Sequence, residues 1–123
     1  MAENRIRYLV CGFGSETYAI PFEGVAYVLK SPDGVTPWRG SSLLSGFLCH
    51  QGRGVWVTRF SEIFAAQTQS ESRGSWVVVL KRPNVGITQV GFFAEIVRGP
   101  VSESRLGNIQ RVGQASESIF CDS

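Results

Sequence analysis

The chain has 123 residues, of which 43% are hydrophobic, and a formal net charge of +2 at pH 7. This length is typical of one domain with one real core, and its 14 glycines are expected of a protein that turns often between short strands. The small and scattered positive charge argues against a nucleic-acid partner, which would need Lys and Arg gathered on one face.

The N-terminal half carries strand patterns separated by Gly and Pro signals, and one short helix. We expect residues 1–6 to be frayed. Strands are predicted over residues 7–13, 17–20, 25–29, the segment that begins at Phe47, and 55–58. A turn at Gln51-Gly52 joins the last two strands, because Gly accepts the positive φ of a tight reversal. Phe60, Ile63 and Phe64 follow at three- and four-residue spacings, which predicts one helical turn with an apolar face.

The C-terminal half has two long apolar runs. A polar loop over residues 67–74 precedes a buried strand over 75–81, and a turn over 82–86 leads into the strand or strands of 87–97. After Pro100 the sequence is rich in Ser, Gly and Gln and has no clear period. The predicted division is therefore a domain over 7–100 and a weakly structured tail or partner-pairing arm over 101–123.

The apolar positions of these patterns predict an all-β fold with its core on the inward side of the strands. The residues that we expect to be buried are Val57, Phe60, Phe64, Val77, Val79 and Phe93.

Reactive side chains are few, and none forms a catalytic pattern. His50, the one histidine, adjoins Cys49, and adjacent strand residues point to opposite faces, so the pair is not suited to share one metal ion. We predict no catalytic residue, metal or cofactor. The alternative from another class is a small enzyme or ligand-binding β-barrel that uses His50 and Cys49.

Cysteine usage and the N-terminus predict a reducing compartment. Three cysteines, an odd number, do not suggest a disulfide framework. The first residues lack the apolar run of a signal peptide, and no segment approaches the roughly 18 apolar residues of a membrane span. We expect a cytoplasmic protein that does not insert into a membrane.

The order of these elements resembles the CheW-like family of chemotaxis coupling proteins. The run Tyr18-Ala19-Ile20-Pro21 is similar to the family's Y-A-I-P opening, and residues 46–64 (GFLCHQGRGVWVTRFSEIF) resemble its glycine turn, central strand and Leu-Phe helix. The run VGFFAEIV over 90–97 is similar to the family's V-G-L-L-V-D-E-V strand pair. The resemblance extends from Tyr8 to Pro100.

The resemblance implies an SH3-like double β-barrel with one short helix after the central strand. It also implies a non-enzymatic adaptor, in a chemotaxis or pilus-motility array, that couples receptor tips to the regulatory domain of a CheA-type histidine kinase by protein–protein binding alone.

The partner-binding positions that the resemblance implies are Val25, Tyr27, Gly46 and Gln51, and we expect them to border exposed surfaces. Val25 and Gly46 match the family's sequence pattern, whereas Tyr27 stands in place of its glutamate and Gln51 in place of its turn arginine. Arg59 replaces the aspartate that would cap the helix. The chain thus retains the family's apolar residues while its charged residues are replaced, which indicates an altered choice of partner.

The sequence shows no counterpart of the family's final strand and second helix after Val112. The second barrel would then be completed by a partner or remain short, and an unpaired strand edge would invite self-association. A third interpretation is a divergent CheW-like module that only oligomerises.

Overall fold

The computed structural model describes residues 6–30, 36–37, 44–64, 76–86 and 88–112. The predicted polar loop over 67–74 and everything beyond Val112 lie outside the described residues. So does the third cysteine, Cys121.

Ten strands and one helical turn make up the described chain. In order they are β1 (Arg7–Phe13), β2 (Glu16–Pro21), β3 (Val25–Lys30), β4 (Thr36–Pro37), β5 (Leu44–His50), β6 (Arg53–Thr58), α1 (Phe60–Ile63), β7 (Trp76–Val85), β8 (Thr88–Ala94), β9 (Ile96–Ser102) and β10 (Gln110–Arg111). Short 3-10 turns occupy Phe22–Gly24 and Glu103–Arg105.

The strands form two sheets. One has four strands in the order β10-β2-β1-β9, and the other has six in the order β3-β7-β8-β6-β5-β4. The prediction of an all-β fold with one short helix after the central strand is confirmed. The finer expectation, that the sheets close into two barrels, stays a prediction.

The main core lies between the two sheets and follows the alternation of strand side chains. Leu9 and Cys11 of β1, Val78 of β7 and Phe92 of β8 share this core, because every second residue of a strand points to the same face. Four rings surround Phe60 with centroid distances of 4.6 Å to Phe13, 4.7 Å to Phe64, 5.1 Å to Tyr18 and 5.1 Å to Phe92. Apolar packing therefore holds α1 in place, and no side-chain hydrogen bond from its N-cap residue, Arg59, caps it.

A second core lies on the other face of the six-stranded sheet. It consists of Leu48, Val55, Val57, Val77, Val79 and Phe93, with Ala26, Tyr27 and Leu29 packed against it. Strands β3 and β5 are separated by three strands in the sheet order, yet their side chains meet over this core. The sheet is therefore strongly curled. All six residues predicted to be buried are buried, at 7% exposure or less.

Strand β7 is longer than predicted. It continues through Arg82 and Pro83 to Val85, where we expected a turn. The pairing of β7 with β8 shifts register between Leu80 and Asn84. A proline has no N–H to donate to a ladder, and an irregularity of this kind accommodates it.

The chain beyond Pro100 is built into the four-stranded sheet as far as Val112. Strand β9 runs through the boundary expected at Pro100, and β10 pairs with β2 in parallel. Leu106 is 2% exposed and packs with Tyr8, Val10 and Ala19. The sequence did not indicate this order because Leu106, Ile109 and Val112 stand singly among polar residues. A role for residues 101–123 as a partner-pairing arm stays a prediction.

The turn between β5 and β6 places two residues in the left-handed region. His50 pairs with Arg53 across it, and φ is +54° at Gln51 and +79° at Gly52. Positive φ at both central positions characterises the type I′ hairpin turn, which favours Asn-Gly. Gln51 adopts this conformation at a steric cost that Gly52 avoids.

Replacing Gln51 by Asn should raise the free energy of unfolding by up to about 1 kcal/mol, because Asn tolerates the left-handed region better. Chemical denaturation of Gln51→Asn beside Gln51→Val measures this, and the β-branched Val should be the least stable of the three proteins. A Val variant as stable as the Asn variant would contradict the turn geometry.

Candidate partner-binding surface

The structure separates the four implied partner-binding positions into two exposure classes. Val25 is 8% exposed and belongs to the core between the sheets, and Gly46 is buried on β5 opposite Val57. Gln51 is exposed at the turn, and Tyr27 is half-buried. The expectation that all four border exposed surfaces is therefore wrong for Val25 and Gly46, whose strand positions face inward. Partner contact at these four positions stays a prediction.

Tyr27 forms the centre of a polar group on the curled sheet. Its ring lies 5.0 Å from the ring of His50, and its hydroxyl donates a hydrogen bond of 3.2 Å to Oε1 of Gln89. Burial raises the pKa of Tyr27, and the nearby Arg53 guanidinium partly opposes that rise. The phenol thus stays protonated at neutral pH and acts as a donor. We call Tyr27, His50, Arg53 and Gln89 the Tyr27 cluster.

Four different strands position the Tyr27 cluster. Tyr27 lies on β3, His50 on β5, Arg53 on β6 and Gln89 on β8. Sequence reasoning named Tyr27 and the neighbouring turn but missed Gln89, which lies 62 positions from Tyr27 along the chain. The alternation of side chains along β5 gave one signal in the sequence. His50 lies two residues after Leu48 and therefore on the same strand face, and Leu48 packs in the second core.

The two side chains of the enzyme alternative do not converge. Cys49 is exposed, while His50 is half-buried against Tyr27, as adjacent strand residues should be. In the described ranges, no group of three or more His, Cys, Asp or Glu is placed to hold a metal ion. The other described thiol, Cys11, is fully buried, and burial raises its pKa to about 12, so it stays protonated at neutral pH.

A comparison with protein-family models decides the family. The model of the CheW-like domain matches residues 7–117. The chain belongs to the CheW-like domain family. The match continues past Pro100, in agreement with the order seen through Val112. No curated protein matches the chain in a sequence search.

A solved structure with the same fold is similar to this CheW-like domain over nearly its whole length. The scaffolding protein TtCheW from Thermoanaerobacter tengcongensis superimposes with a TM-score of 0.65 and 14% sequence identity, covering 94% of this chain and 92% of that protein. At this identity the likeness concerns the fold.

Family membership also answers two broader questions. CheW-like proteins are scaffolding proteins and not enzymes, so the CheW-like domain is not an enzyme, as predicted. The small-enzyme form of the His50/Cys49 alternative is therefore wrong, and its ligand-binding form stays a prediction. Membership supports an adaptor or scaffold role in chemotaxis signalling. Among the described helices, none is long and apolar enough to cross a membrane.

Proposed function

We propose that this CheW-like domain is a cytoplasmic adaptor in a chemotaxis or pilus-motility signalling array, where it couples receptors to a CheA-type histidine kinase by protein–protein binding. The observation that carries the proposal is the family match over residues 7–117. The partners are the regulatory domain of the kinase, the receptor tip, or both.

The distribution of retained and rewritten residues supports an adaptor with altered partner choice. The apolar frame is intact, since Val57, Phe60 and Phe64 are all buried. By contrast, the position of the family's glutamate holds Tyr27, a protonated donor bonded to Gln89. A packed interior sets the fold, whereas charge at a surface sets register and rejects wrong partners.

Self-association is the second mode of binding that we propose. Among the described strands, β3 and β4 end the six-stranded sheet, and β9 and β10 end the four-stranded sheet. A strand at a sheet edge presents unpaired backbone groups that a second copy can pair with.

Restoring the family's charges with Tyr27→Glu plus Gln51→Arg should change affinity for the kinase regulatory domain or the receptor tip by at least about tenfold. That change corresponds to about 1.4 kcal/mol. The new carboxylate would pair with Arg53 and replace the neutral donor. Loss of the Tyr27 ring should cost about 1 kcal/mol of stability, a typical value for one substitution, so the fold persists. Isothermal calorimetry measures the binding.

Gln51→Arg alone is the control for the double variant, because it adds charge without disturbing the Tyr27 cluster. Circular dichroism of all three proteins separates a change in binding from unfolding. The adaptor proposal is contradicted if the native chain binds neither a kinase regulatory domain nor a receptor-tip fragment at high concentration.

A further inference from the structure

The β5–β6 and β7–β8 connections lie at the same end of the six-stranded sheet, and we call this region the hairpin end. The β5–β6 turn lies there at Gln51-Gly52. Strand β8 runs parallel to β6, with Gln89 beside Val55, so the β7–β8 connection lies at the same end. The close approach of Gly54 to Thr88 agrees with this, since a Cβ on Gly54 would lie 3.7 Å from Cγ2 of Thr88.

Exposed cations collect at the hairpin end. Arg53 begins β6, and Lys81 and Arg82 lie on β7, where the register shift removes them from the pairing with β8. All three are exposed. Because β8 lies between β6 and β7, the two strands are about 10 Å apart.

The described strands of the six-stranded sheet contain no compensating acid. From β3 to β8 none of their residues is Asp or Glu, whereas Lys30 adds a further cation at the other end of β3. The carboxylates at Glu16, Glu23, Glu95 and Glu103 lie in the four-stranded sheet or its connections. Glu95 accepts a hydrogen bond from the N–H of Gly14, and Glu103 pairs with Arg111 at 3.7 Å. The same sheet and its connections also carry Arg7, Arg98, Arg105 and Arg111, so their described charges balance. The six-stranded sheet therefore keeps an excess of cations, with one acid, Glu62, in the sequence of α1 between β6 and β7.

The surface beside these cations is aromatic and donates hydrogen bonds. The Tyr27 ring packs at a tilt against His50 and its hydroxyl is protonated, and Gln51 is exposed at the turn. Arg53 lies within electrostatic reach of the Tyr27 hydroxyl. Cationic and neutral donor groups thus lie at the same end of the sheet, which suits a partner rich in carboxylates.

We infer that the hairpin end, with Arg53, Lys81 and Arg82 beside the Tyr27 cluster, docks an acidic extended segment of a partner protein. A chain of three or four extended residues spans about 10 Å, which matches the separation of the cations on β6 and β7. Guanidinium groups bind carboxylates through paired hydrogen bonds. The inference rests on the proposed adaptor function and specifies the chemistry of the partner.

A protein segment fits this region better than nucleic acid does. Nucleic-acid binding relies on many phosphate contacts spread along a basic face, whereas the cations here are few and lie at one end of one sheet. The net charge of +2 provides little further attraction for a polyanion.

Two double variants of equal charge change test the inference. Arg53→Glu plus Arg82→Glu reverses the hairpin end, and Arg98→Glu plus Arg105→Glu reverses two exposed arginines associated with the four-stranded sheet. The native chain and each variant are titrated with a short Glu/Ser peptide, its Gln/Ser counterpart, duplex DNA, anionic vesicles, a kinase regulatory domain and a receptor-tip fragment. Thermal unfolding of both variants checks that they fold, and Arg53→Gln plus Arg82→Gln gives a milder change at the same positions.

The native chain should bind the Glu/Ser peptide, and binding should weaken with added salt. The hairpin-end variant should lose at least about tenfold in affinity, the Gln/Gln variant should lose less, and the four-stranded-sheet variant should stay close to native. The inference would be overturned if both Glu variants lost equal affinity for the Glu/Ser peptide, or if the native chain bound the Gln/Ser peptide as tightly. It would also be overturned if the hairpin-end variant lost as much affinity for duplex DNA or anionic vesicles as for the Glu/Ser peptide.

Binding of the kinase regulatory domain and of the receptor-tip fragment distinguishes this inference from the adaptor proposal. If the acidic peptide binds as expected while neither fragment does, the adaptor proposal fails and the docking chemistry stands. If a fragment binds and the hairpin-end variant binds it equally well, the docking inference fails and the adaptor proposal stands.

Discussion

Replacing Phe64 by Ala should lower the free energy of unfolding by roughly 3–5 kcal/mol, the usual cost of truncating a buried Phe. Phe64 is 4% exposed, and its ring lies 4.7 Å from that of Phe60 and 6.1 Å from that of Phe92. Its N–H donates to the carbonyl oxygen of Phe60 at 2.9 Å and closes the single turn of α1. Truncation leaves a cavity where the helix packs between the sheets.

Urea denaturation measures this loss, and Ile96→Ala is the matched control. Ile96 is also a large apolar residue but is 55% exposed, so its truncation should cost less than about 0.5 kcal/mol. Equal effects of the two substitutions would show that Phe64 is not part of the core.

Replacing Gly91 by Val should destabilise the protein by roughly 3 kcal/mol, in the upper part of the range for overpacking. A Cβ at Gly91 would lie 2.7 Å from the backbone oxygen of Val78 and 3.3 Å from Cγ1 of Val77. Backbone atoms in a paired strand cannot move aside without breaking the ladder between β7 and β8. Strand β7 also pairs with β3, which carries Tyr27, so a shift of β7 would reach the Tyr27 cluster.

Gly24→Ala is the control for this prediction, because no heavy atom lies within 4 Å of a Cβ built there. Its effect on thermal unfolding should stay within about 0.5 kcal/mol. A Gly91→Val protein that melts with the native chain would contradict the packing of β8 against β7.

The sequence predicted those parts of the fold in which local pattern and tertiary packing agree. The run from Trp76 to Leu80 is apolar at every position because β7 has a core on both faces. The spacing of Phe60 and Phe64 predicted α1 correctly because both side chains pack in the main core. The segment after Pro100 was not predicted, since the burial of Leu106 depends on a sheet formed by distant strands.

The candidate site was less accessible to sequence reasoning than the core. Tyr27 and Gln51 were found through the family resemblance, but the contacts of Tyr27 with His50 and Gln89 arise from the curl of a six-stranded sheet. No local pattern encodes that curl. Val25 and Gly46 were wrongly expected at the surface, because the family's sequence pattern does not show which of its residues are buried.

The central claim is that this CheW-like domain is an adaptor that binds its partner through the hairpin end. NMR titration of the isotopically labelled chain with an unlabelled kinase regulatory domain or receptor-tip fragment tests it most directly. We expect the amide signals of Tyr27, Gln51, Arg53 and Arg82 to shift on binding, while those of Gln110 and Arg111 in β10 stay in place. Absence of binding by both fragments, or shifts confined to the four-stranded sheet, would contradict the claim.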